Sequence, residues 1–194
     1  MVDVPNGDSV ILKPYSIASP PYQTGVIDLC IKYVEGGHAS TYFHRRVRVG
    51  DPLTVHEALG FFVDRGGPRA RVHVGVGTGI APIRSMVLDL YHSGFGGPVS
   101  VYLGVRYEDE LLYEVDWRGL EQQHPAFRFV PVVSRPRAWS GRTGWVQDAL
   151  RDTLDEPGSK EVYVCGLVPM VKAVKALLLE LGVPRQQIHT EKYV

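Results

Sequence analysis

Three glycines alternate with other residues where an apolar segment ends, at Gly75, Gly77 and Gly79, and Pro82 follows them. Glycine lets the backbone turn tightly and approach a phosphate closely, and the amide groups that begin a helix bind the phosphate charge. The spacing is neither Gly-x-Gly-x-x-Gly nor a P-loop, because no Gly-Lys-Ser/Thr follows. The segment therefore predicts a nucleotide-binding turn, and the alternative is a tight strand–helix turn without a ligand.

Arginines follow two later apolar segments and could bind the phosphate groups of a nucleotide. Arg106 follows residues 99–105, Ser134 and Arg135 follow residues 127–133, and Arg142 lies in the next loop. The carboxyl ends of parallel strands meet at one edge of a sheet, where ligands bind. Because guanidinium groups bind phosphate bidentately, the arginines indicate a 2′-phosphate site. Each arginine taken alone is equally well explained as a solvated loop residue.

Apolar segments alternate with helix-compatible segments throughout the second half of the chain. We predict strands at residues 71–76, 99–105, 127–133 and 162–165, and helices at residues 81–92, 116–123, 146–154 and 169–181. This alternation is typical of βαβ units around a parallel sheet. In the first half, β-type patterning at residues 9–12, 25–34, 45–49 and 53–55 predicts a small barrel or sandwich. A polar break near residue 66 divides the chain into two predicted domains, residues 1–66 and residues 67–194.

The composition excludes several classes of protein. Lys and Arg total 21, as do Asp and Glu, so the net charge is zero and a globally basic nucleic-acid surface is excluded. The 2 cysteines are too few for a plant-type iron–sulfur cluster or a disulfide framework, which favours a reducing, cytoplasmic location. We expect no membrane span and no signal peptide. No Gly-x-Ser-x-Gly elbow and no histidine pair at i, i+4 occurs, so we expect neither a hydrolase nor a metal site.

Five motifs follow one another along the chain in a fixed order. They are Lys13-Pro14-Tyr15-Ser16, GGHAST at residues 36–41, GTGIAP at residues 77–82, Cys165-Gly166 before Pro169, and Glu191-Lys192-Tyr193. From residue 9 onward the chain resembles the ferredoxin–NADP reductase superfamily of flavin-dependent NAD(P)H reductases. The resemblance implies an antiparallel flavin-binding barrel, followed by an α/β parallel-sheet domain that binds the pyridine nucleotide, with the flavin between them.

The resemblance implies roles at the flavin for several of these residues. Tyr15 would pack on the isoalloxazine ring, and Ser16 would hydrogen-bond near flavin N5 with the help of Glu191. Tyr193 would lie next to the ring. Lys13 replaces an arginine that pairs with the pyrophosphate in the family, and it keeps the charge but loses the bidentate fork. The amides and hydroxyls that hold the pyrophosphate would be those of Gly37, Ala39, Ser40 and Thr41.

The resemblance also implies roles at the nucleotide, which would be NADPH or NADH. Cys165 and Gly166 would lie beside the nicotinamide ring, and Cys165 would shape the pocket without acting as a nucleophile. The catalytic residues would thus be Ser16, Cys165 and Glu191. The other nucleotide-binding residues would be Gly77, Thr78 and Gly79, together with Arg106, Ser134, Arg135 and Arg142, whose arginines favour NADPH. The implied reaction is hydride transfer from NAD(P)H to FAD, with electrons passing to a separate acceptor protein such as a ferredoxin or an oxygenase component.

The sequence departs from the family pattern at its start. The flavin motif begins at residue 13, whereas three strands and their connections need roughly 30 residues, so we expect a shortened barrel with an open edge. Three interpretations stay open: a barrel that still holds flavin, a barrel completed by a second copy or a partner chain, and a flavin-free nucleotide-binding or interaction subunit of a larger redox complex. The family's Gly-Pro-x-Gly step is also altered, to Glu57-Ala58-Leu59-Gly60.

Overall fold

The computed structural model, which describes residues 1–193, contains eight strands and five α-helices within those residues. The strands are β1 (Val2–Asn6), β2 (Ser9–Lys13), β3 (Ala70–Val76), β4 (Val99–Val105), β5 (Phe127–Val133), β6 (Arg142–Thr143), β7 (Lys160–Leu167) and β8 (Ile188–Tyr193). The helices are α1 (His38–Arg45), α2 (Ile80–His92), α3 (Glu114–Gln123), α4 (Val146–Thr153) and α5 (Val168–Glu180).

Six strands form one parallel sheet in the order β6-β5-β4-β3-β7-β8. From β3 the chain builds outward to β4 and β5, and later it returns to β7 on the opposite side of β3. The strand order therefore reverses between β3 and β7. In open α/β sheets, ligands bind beyond the carboxyl ends of the strands at such a reversal.

Helices cover both faces of this sheet. Helices α4 and α5 pack on one face, against side chains such as Val74 and Val164, and α2 and α3 pack on the other, against Leu103 and Phe129. Burial on both faces explains the nearly continuous apolar character of the central strands. All four strands and four helices predicted for this half are confirmed within two residues at each end, and so is the two-part fold class.

Strands β6 and β8 were missing from the sequence prediction. Strand β6 has two residues, and β8 alternates apolar and charged side chains at the edge of the sheet. A search for apolar runs finds buried central strands and passes over an edge strand of this kind.

The antiparallel part is smaller than the sequence suggested. Strands β1 and β2 form a hairpin, and the segments predicted as strands at residues 25–34 and 53–55 contribute single bridges, Leu29 to Ile17 and Val55 to Val2. The predicted strand at residues 45–49 is also wrong, because Arg45 ends α1 and a turn follows it. These segments have β-type patterning, but a strand also needs a neighbouring strand whose backbone groups pair with its own. Here each segment forms at most one β-bridge.

Arg84 on α2 joins the antiparallel part to the sheet domain. Its guanidinium donates to the carbonyl oxygen of Ala18 at 2.9 Å and to Asp116 of the sheet domain at 2.6 Å. The adjacent Ser85 hydroxyl donates to the carbonyl oxygen of Ser19 at 2.8 Å. Because the acceptors are backbone carbonyl groups, these bonds fix the orientation of residues 14–19 relative to α2.

Within residues 1–193, no helix combines the length and the apolar character that a membrane span requires. In the same residues, no group of three or more His, Cys, Asp or Glu side chains is arranged to hold a metal ion.

Candidate functional site

The glycine turn lies where the strand order reverses. A 3₁₀ turn at Gly77–Gly79 connects β3 to α2, and Gly77 has a φ of +54°. A Cβ atom on Gly79 would lie 2.3 Å from the carbonyl oxygen of Cys165, so only glycine permits this approach of α2 to β7. Helix α2 begins without a side-chain cap among the described residues, which leaves its first amides to an anion. Gly77, Thr78 and Gly79 therefore lie together where a pyrophosphate would bind.

Cys165 and Gly166 form the end of β7 beside this turn. Cys165 is fully buried, and desolvation raises the pKa of its thiol to about 12. The thiol is therefore protonated at neutral pH and is no thiolate nucleophile. Gly166 has a φ of +151°, which an L side chain rarely adopts.

A polar cluster connects residue 16 with the last strand of the sheet. The Tyr193 hydroxyl donates to Ser16 Oγ at 2.8 Å, and Ser16 Oγ lies 3.5 Å from both carboxylate oxygens of Glu191. The Tyr193 hydroxyl also contacts the Cys165 thiol. Burial raises the pKa of Glu191. The structure thus brings four of the predicted site residues into one group, across the junction between the two parts of the chain.

Tyr15 immediately precedes Ser16 of this cluster in the sequence, and Lys13 ends β2 three residues before Ser16. The Tyr15 ring is half-buried and packs edge-on against Phe43 of α1, with ring centroids 5.5 Å apart. Its burial raises the pKa of the phenol. Lys13 is the last residue of β2 and is also half-buried.

The predicted pyrophosphate loop is the beginning of helix α1 in the structure. A Cβ atom on Gly37 would lie 2.7 Å from Ser40 Oγ, so a larger residue there would displace the Ser40 hydroxyl from the turn. The Ser40 hydroxyl accepts a bond from the Val34 amide at 3.1 Å and lies 3.2 Å from the Gly37 carbonyl oxygen, which makes it part of the turn itself. Ala39 is buried and Thr41 half-buried. At this segment the groups that remain for an anion are the first amides of α1.

The structure separates the predicted arginines into two groups. Arg106 and Arg135 lie side by side at the ends of β4 and β5, because the Arg135 amide donates to the Arg106 carbonyl oxygen at 2.7 Å. Ser134 bonds through its amide and its hydroxyl to Val105. Arg142, in contrast, places two guanidinium nitrogens 2.8 Å from one carboxylate oxygen of Asp152. Arg106 and Arg135 therefore stay available for a phosphate, whereas Arg142 already has an anionic partner.

A cavity of about 390 Å³, which the sequence did not reveal, opens beside the polar cluster. Its lining includes Glu191 and His189 of β8 together with Phe62 and Arg65 from the segment that leads into β3. His189 stands two residues before Glu191, and no motif or spacing in the sequence singles it out. Only the pairing of β8 with β7 brings it to this place.

Comparison with known proteins places the chain in a family. The family model for the oxidoreductase FAD-binding domain matches residues 1–63, and that for the oxidoreductase NAD-binding domain matches residues 74–176, more than half of the chain. The chain is 34% identical to ferredoxin–NADP reductase B of Sorangium cellulosum, over 100% of its own length and 82% of that protein. It belongs to the ferredoxin–NADP reductase superfamily. The resemblance seen in the five motifs is thus confirmed.

Several proteins that the chain matches are longer than it is. The chain is 31% identical to the phenol hydroxylase P5 protein of Acinetobacter pittii, over 94% of its own length and 53% of that protein. The crystal structure of the Amycolatopsis cytochrome P450 reductase GcoB superposes with a TM-score of 0.87 at 28% identity, over 98% of this chain and 58% of that one. The chain therefore spans about half the length of several proteins that it matches.

The matches also support the predicted class of enzyme and its cofactors. An oxidoreductase FAD-binding domain and an oxidoreductase NAD-binding domain occur in the predicted order along the chain, which is the combination expected of an NAD(P)H-dependent flavin reductase. None of the matches tests the roles of individual residues, which stay predictions.

Proposed function

We propose that this chain binds FAD at the junction of its two parts, takes a hydride from NAD(P)H and passes electrons to a separate acceptor protein. The observation that carries the proposal is the cluster of Ser16, Cys165, Glu191 and Tyr193. Residues 175 or more positions apart meet there, beside the turn at which a nucleotide would bind.

The residues of the junction fit a flavin. A planar heteroaromatic ring with N–H and C=O groups needs aromatic or apolar walls and a few fixed polar partners. Tyr15 supplies a half-buried aromatic wall, and Ser16, Glu191 and Tyr193 supply two hydroxyls and a carboxyl. Lys13 supplies positive charge for a pyrophosphate, and the amides of His38, Ala39 and Ser40 at the start of α1 supply N–H donors, since those of Gly37 and Thr41 already bond to the Val34 and Gly37 carbonyl oxygens.

FAD, when bound, accepts a hydride and releases electrons one at a time. The chain's own part is to bind, to orient and to move protons. Because burial raises the pKa of Glu191, its carboxyl accepts a proton more readily than an exposed glutamate does, and the neighbouring hydroxyl of Ser16 can pass that proton on. The uncharged thiol of Cys165 would form one wall of the nucleotide site. Gly77, Thr78 and Gly79 would bind the nucleotide at the turn between β3 and α2. Arg106 and Arg135 would bind a 2′-phosphate, which favours NADPH.

Relatives suggest the class of acceptor. Their names include a phenol hydroxylase P5 protein, a ferredoxin–NADP reductase and the reductase component of a naphthalene 1,2-dioxygenase system. We therefore propose a ferredoxin or an oxygenase component as the acceptor. Both cysteines are free thiols, which supports the proposed cytoplasmic location.

One observation favours a second candidate function, a flavin-free nucleotide-binding or interaction subunit of a larger redox complex. In the antiparallel part only β1 and β2 pair as strands, and large apolar side chains there are strongly exposed. Val49, Leu59 and Phe61 are 108%, 82% and 87% exposed. An open apolar surface of this kind is typical of an interaction site.

The visible absorption spectrum of the purified chain, recorded after incubation with excess FAD and desalting, separates the two candidates. We expect retained flavin bands that bleach anaerobically with NADPH, and more slowly with NADH. Ser16→Ala should slow the bleaching, whereas Ser9→Ala, an exposed serine that bonds only to the Asn6 carbonyl oxygen, should not. A colourless chain that still binds NADP⁺ would reject the reductase and support the second candidate.

A further inference from the structure

A second set of titratable side chains lies on the same sheet face as Glu191. Side chains alternate between the two faces of a strand, so His189, Glu191 and Tyr193 of β8 share one face. On the adjacent strand β7, Tyr163 stands opposite His189 in the register and Cys165 stands opposite Glu191. The face that carries the polar cluster therefore continues toward the start of β8.

His189 forms a close pair with a buried carboxylate. Its Nε2 atom lies 2.7 Å from Oε1 of Glu161, and its ring stacks on Tyr163 with centroids 4.9 Å apart. Glu161 is 7% exposed, and its second oxygen lies 3.5 Å from the exposed guanidinium of Arg69. Among residues 1–193, Nδ1 of His189 has no hydrogen-bond partner, so one nitrogen of the ring is engaged and the other is free.

The cavity described above joins this pair to the polar cluster. His189 and Glu191 both line it, and its volume of about 390 Å³ is sufficient for several water molecules, each of which occupies about 30 Å³ in the liquid. The rest of its lining is Phe61, Phe62, Arg65, Ile188 and Thr190. Water in this cavity would have polar partners on the Glu191 carboxyl group and on the His189 imidazole.

The proposed reaction produces a proton that must leave this region. The overall balance is NAD(P)H plus two oxidised one-electron acceptors giving NAD(P)⁺, two reduced acceptors and one H⁺. Ser16 and Glu191 would receive that proton, and the half-buried Glu191 must return to its starting state before the next cycle. A histidine can take up a proton at one ring nitrogen and release one from the other.

We propose that His189 and Glu161 form a proton relay, which exchanges protons with Glu191 across the cavity and releases them at the protein surface. The inference rests on the proposed function. The proton would enter at Nδ1 of His189 and leave from Nε2 to Glu161, whose carboxylate lies beside the exposed Arg69 near the start of β7. Arg65 lines the cavity, Tyr163 stacks on His189, and Cys165 and Tyr193 lie beside Glu191. The charged pair of Asp64 and Arg71 and the ring of His73 lie next to Tyr163.

The chain offers a matched control for the relay. His56 Nε2 lies 2.7 Å from a carboxylate oxygen of Asp3, the same geometry as the His189–Glu161 pair, but this pair lies at the N-terminal hairpin. The test variants are therefore His189→Gln and Glu161→Gln, and the control is His56→Gln. A change that follows from losing any histidine–carboxylate pair would appear in all three.

The first readout uses the flavin-free chain. The ¹⁵N chemical shifts of the His189 ring, recorded by NMR at fixed pH, should change in Glu191→Gln, because the partner across the cavity is altered. The ring shifts of His56 should not change. Unchanged His189 shifts would mean that the two groups do not interact across the cavity and would overturn the relay.

The second readout uses the FAD-loaded chain in stopped flow. Reoxidation by ferricyanide after anaerobic reduction with NADPH should be slowed about tenfold in His189→Gln and Glu161→Gln, by far more than reduction is slowed. The solvent deuterium isotope effect on reoxidation should rise, and added imidazole should restore the rate of His189→Gln. Equal slowing of both half-reactions without rescue would indicate a merely structural role and would overturn the proposal.

The two proposals fail in different ways. A wild-type chain that takes up no FAD overturns the proposed function and the relay with it. A wild-type chain that takes up FAD and is bleached by NADPH, with variants that reoxidise at the wild-type rate, overturns the relay alone.

Discussion

His73 is a fully buried histidine in the middle of β3, and we expect it to make the fold sensitive to acid. Its ring stacks on Tyr163 at 5.1 Å between centroids, and neither ring nitrogen has a hydrogen-bond partner in the part of the chain that the structure describes. Desolvation lowers its pKa from 6.5 to about 3, while Asp64 acts in the opposite direction and Arg71 in the same one. The folded protein therefore holds this histidine neutral.

The sign and size of the effect follow from the two pKa values. Between pH 6.5 and about 3 the unfolded chain binds a proton that the folded chain does not, so acid favours unfolding. One pH unit in this window corresponds to about 1.4 kcal/mol, which gives about 3 kcal/mol at pH 4.5. Against a total stability of about 5–15 kcal/mol for a typical domain, such a loss is readily measured.

The substitution that isolates the contribution of His73 to acid unfolding is His73→Leu. Leucine has a similar volume and no ionisable group, and no hydrogen bond is lost, so the stability at pH 7.5 should change by less than about 1.5 kcal/mol. Between pH 7.5 and 4.5 the variant should lose about 3 kcal/mol less than the wild type does. Carboxylates titrate in both proteins, and their contribution cancels in this comparison.

Urea unfolding at pH 7.5, 6.5, 5.5 and 4.5, followed by tryptophan fluorescence, provides the assay. Trp117 is fully buried in the same half of the molecule as His73 and reports its unfolding. The control is His56→Leu, since the His56 side chain is 46% exposed. Parallel pH profiles for wild type and His73→Leu would refute the argument, because they would mean that His73 is protonated without opposing the fold.

Two further predictions concern the nucleotide site. Gly79→Ala should cost about 1–3 kcal/mol of stability and weaken NADP⁺ binding, because the new Cβ would lie 2.3 Å from the Cys165 carbonyl oxygen. Gly119→Ala on α3, with open space at the Cβ position, should instead be neutral or stabilising in the same urea and binding assays, and equal effects would contradict the steric argument. Arg106→Ala and Arg135→Ala should each raise KM for NADPH about tenfold and leave KM for NADH unchanged in steady-state kinetics. A matching change with NADH would show that the 2′-phosphate is not their partner.

The sheet half could be predicted from the sequence because its strands are buried on both faces. A central parallel strand such as β7 consists almost entirely of apolar residues, and turns or helix starts mark its ends. The antiparallel half has no strand that both its apolar composition and the signals at its ends identify in this way. Residues 25–34 have the composition of a strand, but whether they form one depends on neighbours that local patterning does not specify, and here Leu29 contributes a single bridge.

The residues of the site that could be predicted from local sequence are those whose backbone conformation or close packing requires glycine. Gly77 and Gly79 were found because close approach and positive φ allow little besides glycine. The motif assigned Ser40 to the cofactor, yet its hydroxyl forms hydrogen bonds within the turn that begins α1. His189 was not found at all, because its relation to Glu161 depends on a strand pairing between distant segments.

The sheet topology itself explains why the last residues of the chain meet residue 16. After β7, helix α5 returns the chain to the start of β8, which extends the sheet at the edge nearest the reversal of strand order. That edge leaves the face of Glu191 and Tyr193 uncovered by the sheet's own helices, and residues 14–19 cover it, held there through Arg84. The polar cluster therefore forms only when the two parts dock, and the proton chemistry assigned to Ser16 and Glu191 depends on that docking as much as on the residues themselves.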